Sequence, residues 1–283
     1  MSRLRPVDIL VLAYAVLISI TALARDPRSS GTWWLVLAHV LVIALVCLVT
    51  RPGLGRFGTI IREVYPVLIL VALYGAIDVL NESRGTGVHD YLVRRWEQWV
   101  FGEQVSHEWW QRAPSSFWSL VLHGSYLMYY VIIPLPLLVF LLRGDQRALR
   151  RSVLMTVSAF LVCYLFFVFF PVAGPYYAFP RPDQRFLANP AAQAVYRILA
   201  GGSSYGAAFP SSHVAATIAA TIAAWLGSRT LGILLTIPTL LLTVGVVYTQ
   251  MHYGVDVIAG IAVALAAVSA AALAERRTSP GAA

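Results

Sequence analysis

Long apolar runs recur from one end of the chain to the other, and they constrain its fold more than any other feature. Each run is long enough to cross a bilayer core of about 30 Å as a helix. Charged residues make up only 12% of the chain, whereas a soluble domain carries roughly a quarter. The sequence therefore predicts an all-α fold, a polytopic transmembrane helical bundle. Its spans, about eight, lie near residues 8–24, 33–50, 64–80, 117–142, 152–170, 210–227, 231–249 and 254–274.

The first apolar run has two interpretations. Arg3 and Arg5 before it, and the small-residue sequence 22–24 at its end, also fit a secretory signal peptide. We favour an uncleaved span, because the other hydrophobic segments follow it. Cys47 and Cys163 lie inside apolar runs, so we interpret them as small core residues and predict no disulfide.

The basic residues predict which ends of the spans face the cytoplasm. All 21 are arginines, and the formal net charge is +8. Short cytoplasmic loops are enriched in basic residues. One side of the predicted bundle collects Arg3, Arg5, Arg51, Arg56, Arg62, Arg143, Arg147, Arg150, Arg151, Arg229, Arg276 and Arg277. We therefore expect both termini in the cytoplasm. Nucleic-acid binding is a poor explanation of the charge, because the arginines are scattered between spans.

Two long loops lie on the predicted outer side. Residues 81–116 mix tryptophans with charged residues. This mixture favours one or two amphipathic helices in the lipid headgroup region, although a simple belt of interfacial aromatic residues explains it equally well. Residues 171–209 are rich in proline and glycine, which predicts an irregular but ordered loop.

Two short polar stretches each open an apolar helix, at the predicted outer ends of the sixth and eighth spans. They are Phe209-Pro210-Ser211-Ser212-His213 and His252-Tyr253-Gly254-Val255-Asp256. Ionisable side chains at membrane depth are costly in free energy and are usually functional. Both spans are rich in alanine, which lets helices approach closely. We therefore expect the two stretches to meet.

The spacing of these side chains predicts their chemistry. His252 and Asp256 are four positions apart, which on a helix places them within hydrogen-bonding reach. A carboxylate that accepts one ring N–H leaves the other nitrogen free as a nucleophile, a general base or a metal ligand. His213 lies at a helix N-terminus, where free N–H groups bind anions. Ser211 or Ser212 can also serve simply as the N-cap.

The other histidines are interpreted as structural; they are His39, His89, His107 and His123. Among them, His123 comes closest to an exception, because residues 124–126 after it are small or polar. Arg181 is the candidate phosphate-binding cation on the outer side, since a guanidinium offers a planar fork of donors.

Pro-Ser-x-His followed by His-x-x-x-Asp, each opening a membrane helix, resembles the type 2 phosphatidic-acid phosphatase superfamily of lipid phosphatases and phosphotransferases. The form His-Tyr-x-x-Asp-Val, with Pro-Ser-Ser-His as its partner, is similar to the inositol phosphorylceramide synthase branch. Residues 97–102 and 170–175 also look like that branch. The resemblance covers roughly residues 90–274 and implies a six-helix-type lipid phosphatase core.

The resemblance implies a role for each matching residue. His252 would attack phosphorus and form a phosphohistidine, Asp256 would orient the ring, and His213 would protonate the leaving oxygen. Ser211 and Ser212 would hold phosphate oxygens, partly through backbone N–H groups. The family uses no metal and no other cofactor, so cationic side chains would neutralise the developing charge.

Two cationic positions of the superfamily are changed in this chain. The first phosphatase motif keeps only Arg181-Pro182, with Gly174 where a lysine would stand. Val246 stands where an arginine would precede the nucleophile by six residues. Arg181 remains as a phosphate-binding candidate. These losses favour the phosphotransferase branch over an ordinary phosphatase.

In these terms the chain divides into N-terminal spans (1–80), an amphipathic interfacial segment (81–116), a catalytic transmembrane core (117–274) and a cytoplasmic tail (275–283). The sequence thus predicts a lipid phosphotransferase that acts on a lipid phosphate or phosphodiester headgroup, on the extracytoplasmic side of a bacterial plasma membrane. Its expected partners are the lipid substrate and membrane lipids; no oligomeric state is predicted.

Three alternatives stay open. Water as the acceptor would make the protein a lipid phosphate phosphatase. Two histidines and one carboxylate could instead form a facial triad around a metal ion. A transporter could use the His/Asp pair as a proton relay, although transporters usually place such residues near the bilayer midplane.

Overall fold

The computed structural model describes residues 4–82, 88–202 and 204–278. In these residues the chain forms helices only, apart from one isolated bridge between Val172 and Ala207. The helices are α1 (Pro6–Arg25), α2 (Ser30–Val49), α3 (Gly55–Glu82), α4 (Asp90–Phe101), α5 (Val105–Arg112), α6 (Ser116–Leu127), α7 (Tyr129–Ile132), α8 (Pro134–Arg143), α9 (Gln146–Phe169), α10 (Pro175–Ala178), α11 (Gln184–Leu187), α12 (Pro190–Gly202), α13 (Ser212–Gly227), α14 (Arg229–Tyr248) and α15 (Gly254–Thr278).

The described helices confirm the predicted all-α membrane bundle. Seven stretches are long and apolar enough to cross a membrane: α1, α2, α3, the broken helix α6–α8, α9, α14 and α15. The predicted count of about eight is reached only if α13 is included. That helix is apolar but has 16 residues, which is short for a bilayer core of about 30 Å.

Helix α13 lies at the centre of the bundle, packed against α9, α14 and α15. Its alanine faces are fully buried, which lets these neighbours approach closely. Thr221 of α13 and Thr239 of α14 share a hydrogen bond of 2.7 Å. The alanine content of the sixth span thus correctly predicted that this helix packs closely against its neighbours.

Ion pairs join the helix ends that carry the predicted cytoplasmic arginines. Arg5, before α1, pairs with Glu63 of α3 at 2.8 Å, and Arg150 of α9 pairs with the same carboxylate. Arg151 pairs with Glu275 near the end of α15. These helix ends therefore lie together at one end of the bundle, as the charge pattern requires.

The two long loops differ in how well the sequence predicted them. Residues 81–116 contain the helices α4 and α5, in line with the one or two helices expected there. For 171–209, the prediction of an irregular loop is wrong in part, because α12 runs over 13 residues. Its Gly-Gly pair lies at the end of that helix, where glycine is tolerated, and Pro190 at its first position is favourable for helix initiation.

Candidate active site

His213, His252 and Asp256 meet at one end of the bundle. His252 Nδ1 lies 3.3 Å from Asp256 Oδ2, and His252 Nε2 lies 3.4 Å from His213 Nδ1. The centroids of the two imidazole rings are 5.5 Å apart. His252 and Asp256 are buried and His213 is partly exposed. The spatial meeting that the sequence required is therefore found.

Close backbone packing brings the two motifs together. The backbone N–H of Ser211 donates to the carbonyl of Asp256 at 3.0 Å. Gly260, one turn further along α15, lies so close to the Ser211 carbonyl that an added Cβ would stand 2.7 Å from its oxygen. A side chain at position 260 would collide with this carbonyl. Glycine there allows the N-termini of α13 and α15 to lie side by side.

The turn before α15 holds His252 in place. The backbone N–H groups of Met251 and His252 both donate to the carbonyl of Val246 at 2.9 Å. Gln250 has a φ of 61°, a left-handed conformation that non-glycine residues rarely adopt. Its side chain accepts from Trp110 Nε1 at 2.9 Å and donates to the Pro180 carbonyl at 2.8 Å. These contacts hold the strained turn.

Asp90 links helix α4 to the site. Its carboxylate accepts the backbone N–H groups of Ala173 and Gly174 at 2.7 and 2.9 Å, and the hydroxyl of Tyr253 at 2.9 Å. The backbone N–H of Tyr253 in turn donates to Asp256 Oδ2 at 2.8 Å. Asp90 therefore fixes the loop at 173–174 and the turn that carries the candidate nucleophile.

A cavity of about 480 Å³ lies beside the two histidines. Its wall includes Ser212, His213, His252, aliphatic side chains of α3 and a set of tyrosines: Tyr74, Tyr126, Tyr129, Tyr130, Tyr164, Tyr176 and Tyr177. Among the described residues, no Arg, Asp or Glu side chain lines it. Leu68 and Val71 of α3 line the cavity and are also largely exposed on the outside of the bundle. The cavity thus reaches the lateral surface of the protein.

The comparisons with known proteins agree with this geometry. A family model described as the PAP2 superfamily matches residues 92–270, which is more than half of the chain. The chain belongs to the PAP2 superfamily. Membership supports an enzyme that acts on phosphate esters, as a phosphatase or a phosphotransferase. No curated protein and no solved structure in the comparisons matches the chain. The similarity to the inositol phosphorylceramide synthase branch stays a prediction.

The remaining predicted phosphate ligands of this PAP2 protein lie in different places. Ser212 lines the cavity, whereas the Ser211 hydroxyl caps α13 by accepting the N–H of Val214. Arg181 is exposed and does not line the cavity that holds the histidines. It lines a neighbouring open pocket and donates to the hydroxyl of Tyr176 at 3.1 Å. The structure therefore does not bring Arg181 into contact with the histidine pair.

The two positions where the PAP2 pattern has lost a cation are both packed tightly. Gly174 has a φ of +93°, and an added Cβ would stand 2.9 Å from that of Ala208. Val246 is fully buried in the apolar core. Neither position has room for a long basic side chain in this backbone arrangement. The packing around both positions is therefore consistent with the absence of the two cations.

The metal-site alternative receives no support from the side-chain placement. Within 4–82, 88–202 and 204–278, no group of three or more His, Cys, Asp or Glu side chains is arranged to hold a metal ion. Asp256 Oδ2 contacts His252 Nδ1 and also accepts the N–H of Tyr253, so these two atoms already have partners within the protein.

Glu97 of α4 is a buried carboxyl close to the site. It is fully buried, and its Oε1 accepts the backbone N–H of Ser106 at 3.1 Å. Burial raises the pKa of Glu97 to about 7, against the hydrogen bond from Ser106, which lowers it, and the charge of Asp256 adds to the rise. The carboxyl group therefore changes charge near neutral pH.

Replacing Glu97 with glutamine is expected to raise the thermal unfolding temperature more at pH 8 than at pH 5. The pKa of this carboxyl rises from 4.5 to about 7 on folding. The wild type therefore loses stability as the pH rises through this range, whereas the glutamine variant has no such group to ionise. Tryptophan fluorescence of the detergent-purified proteins measures the unfolding temperature at each pH. Glu108→Gln, a partly exposed control in the neighbouring helix, should show no such difference. An equal shift at both pH values for Glu97→Gln would contradict the buried charge.

Sequence reasoning missed several residues of the site. Asp90 and Gln250 were not singled out, and Tyr253 was noted only as part of a motif. Of the wall tyrosines, Tyr126 alone was mentioned, as part of a polar helix segment. His123 is buried and its Nδ1 contacts the carbonyl of Ser119 in its own helix, which fits the structural role predicted for it.

Proposed function

We propose that the protein is a membrane-embedded lipid phosphotransferase that works through a phosphohistidine on His252. The observation that carries this proposal is the arrangement of three groups beside the cavity, two of which, His213 and His252, line its wall. Asp256 contacts one nitrogen of His252, and the other nitrogen lies 3.4 Å from His213. A nucleophile, an orienting carboxylate and a second imidazole for proton transfer are the groups that a double displacement needs.

The proposed first step is attack by His252 Nε2 on the phosphorus of the substrate. In the tautomer that donates its Nδ1–H to Asp256, this nitrogen carries the lone pair. Burial lowers the pKa of His252, which keeps the ring neutral at physiological pH. The P–N bond forms as the bond from phosphorus to the leaving oxygen breaks. His213, whose protonated form the negative charge of the bound substrate favours, gives that oxygen its proton.

In the second step an acceptor hydroxyl attacks the phosphohistidine. His213, now neutral, takes the proton of the hydroxyl, the new P–O bond forms and the P–N bond breaks. At 3.4 Å the two nitrogens leave no room between them, so the phosphoryl group must enter from the cavity side and separate the rings. Ser212 and the N-terminal N–H groups of α13 would face the phosphoryl oxygens there.

Two features of the cavity support a lipid as the donor. Its wall is mostly aliphatic and aromatic, and it reaches the bundle surface beside Leu68 and Val71. A lipid could therefore enter sideways from the bilayer, with its acyl chains against α3. A helical membrane protein with such an opening needs no aqueous path for this substrate.

The charge of the cavity supports a phosphodiester as the donor, and hence transfer over simple phosphatase action. No Arg side chain among the described residues lines the cavity. A phosphomonoester carries close to two negative charges at pH 7, whereas a phosphodiester carries one. In a site of low polarity the second charge is expensive without a cationic partner.

The position of the site supports action on the extracytoplasmic side. His252 lies just before α15, and Glu275, near the other end of that helix, pairs with Arg151 in the arginine-rich cluster. The positive-inside rule assigns the cluster to the cytoplasm. The site would then face outward, in our proposal from the plasma membrane of a bacterium.

The proposed transfer can be tested with purified protein in liposomes. A phospholipid with an isotopically labelled phosphodiester headgroup is supplied together with a polyol or a lipid alcohol as the acceptor. We expect the labelled phosphoryl group on the acceptor, with transfer increasing with acceptor concentration. Release of inorganic phosphate alone from phosphomonoesters, unaffected by any acceptor, would favour the lipid phosphatase instead. Solute flux without any chemical change in a lipid would favour a transporter.

A further inference from the structure

Two tyrosines stand directly beside the histidine pair. The ring centroids of Tyr126 and Tyr129 lie 4.7 and 4.5 Å from that of His213. Both side chains line the cavity, and Tyr126 is only 4% exposed. They are three positions apart at the junction of α6 and α7, so they share one face of this helical segment.

The hydroxyls of these two tyrosines differ from others in the same wall. Tyr164 donates to the carbonyl of Leu70, and the Tyr74 hydroxyl accepts the N–H of Ser204. Within the described part of the chain, the hydroxyls of Tyr126 and Tyr129 make no hydrogen bond to the protein, and neither oxygen is completely enclosed. Both therefore open onto the cavity that the two side chains line. A phenylalanine would pack against His213 equally well, so packing alone does not explain the two hydroxyls.

We propose that Tyr126 and Tyr129 are catalytic residues that donate hydrogen bonds to the non-bridging phosphoryl oxygens. This inference rests on the proposed function. Gly174 and Val246 occupy the positions of two missing cations, and Arg181 does not line the cavity. Hydrogen-bond donors that point at developing charge stabilise a transition state in a water-poor site. Two neutral phenols would perform this task for a substrate that carries a single negative charge.

The placement of the pair suits this role. Both rings contact His213 and both side chains line the cavity, so the pair lies in the same part of its wall as the general acid. The N–H of Met128, between them, donates to carbonyls of the preceding turn, so the junction of α6 and α7 is held by its own backbone. The backbone that carries the two tyrosines is thus ordered before substrate arrives, which lowers the cost of organising the donors during the reaction.

The test compares Tyr126→Phe, Tyr129→Phe and the double variant with wild type in the transfer assay. Loss of one preorganised donor typically lowers kcat by about 100-fold, and we expect a loss of that order in each single variant and a larger one in the double variant. KM should change less than kcat. Inhibition by orthovanadate, which mimics five-coordinate phosphorus, should weaken in parallel. Thermal unfolding should stay close to that of wild type.

Tyr248→Phe is the matched control, because that hydroxyl donates to the Ala113 carbonyl away from the cavity. Wild-type kcat and vanadate inhibition in the double variant would overturn this inference while leaving the proposed function intact, provided that His252→Ala is inactive in the same assay. Activity in His252→Ala would instead overturn the proposed function. A lower kcat with unchanged vanadate inhibition would also overturn the role of the phenols as phosphoryl donors.

Discussion

His252→Ala is expected to lower kcat by about 10⁴-fold or more while the protein still folds. The side chain supplies the only nitrogen in the proposed mechanism that attacks phosphorus, and nucleophile losses of this kind remove most of the catalytic acceleration. Phosphoryl transfer in detergent or liposomes measures the effect. His107→Ala is a suitable control, because His107 packs on Phe179 and does not line the cavity.

The His252→Ala experiment needs a folding control, because His252 also makes structural contacts. Its ring lies against His213 and Asp256, so a loss of activity counts only if thermal unfolding and detergent extraction match those of wild type. A well-folded His252→Ala protein with more than about a tenth of wild-type kcat would contradict the role of nucleophile, because loss of a catalytic nucleophile costs far more.

Asp256→Asn is expected to have the second-largest effect, a drop in kcat of between about 10² and 10⁴, the upper end being that of the equivalent change in a serine-protease triad. Asp256 Oδ2 accepts the backbone N–H of Tyr253 at 2.8 Å and lies 3.3 Å from His252 Nδ1. Both contacts are made by the same oxygen, so an asparagine with its carbonyl oxygen in that place keeps them. It lacks the negative charge that stabilises the positive charge developing on the His252 ring as the P–N bond forms.

The loss of this charge gives Asp256→Asn a signature of its own. Substrate should still bind with a similar KM, while kcat falls and the slow step becomes formation of the phosphohistidine. Rapid-quench measurement of the first turnover reads that step directly. An unchanged first turnover with slow later ones would contradict the proposed role, since it would place the defect after P–N bond formation.

Much of the site could be predicted from the sequence because its chemistry is carried by two compact motifs. His213 and His252 were expected to meet, and their rings are 5.5 Å apart. The local reason was partly different from the expected one. His252 does not share a helix with Asp256 but lies in the turn before α15, which begins at Gly254. The contact between His252 and Asp256 still forms, because hydrogen bonds to the Val246 carbonyl hold the turn so that the imidazole lies beside the first turn of α15.

Other parts of the site depend on contacts between segments far apart in the chain, which spacing alone does not reveal. Asp90 and Tyr253 are separated by 163 positions and meet through one hydrogen bond. Tyr126 and Tyr129 belong to an apolar span in which tyrosine is an ordinary residue. Only the fold shows that both rings contact His213. Arg181 illustrates the opposite case, because its sequence motif was suggestive but its side chain lies outside the cavity.

The most direct test of the account is to trap the phosphoryl group on the protein. Wild type and His213→Ala are mixed with labelled phospholipid, quenched in base, which preserves the P–N bond of a phosphohistidine, and digested for mass spectrometry. We predict a phosphoryl adduct on the peptide that contains His252, and no adduct in His252→Ala. An adduct on another residue, or turnover without any adduct at His252 even in single-turnover quenching, would contradict the account.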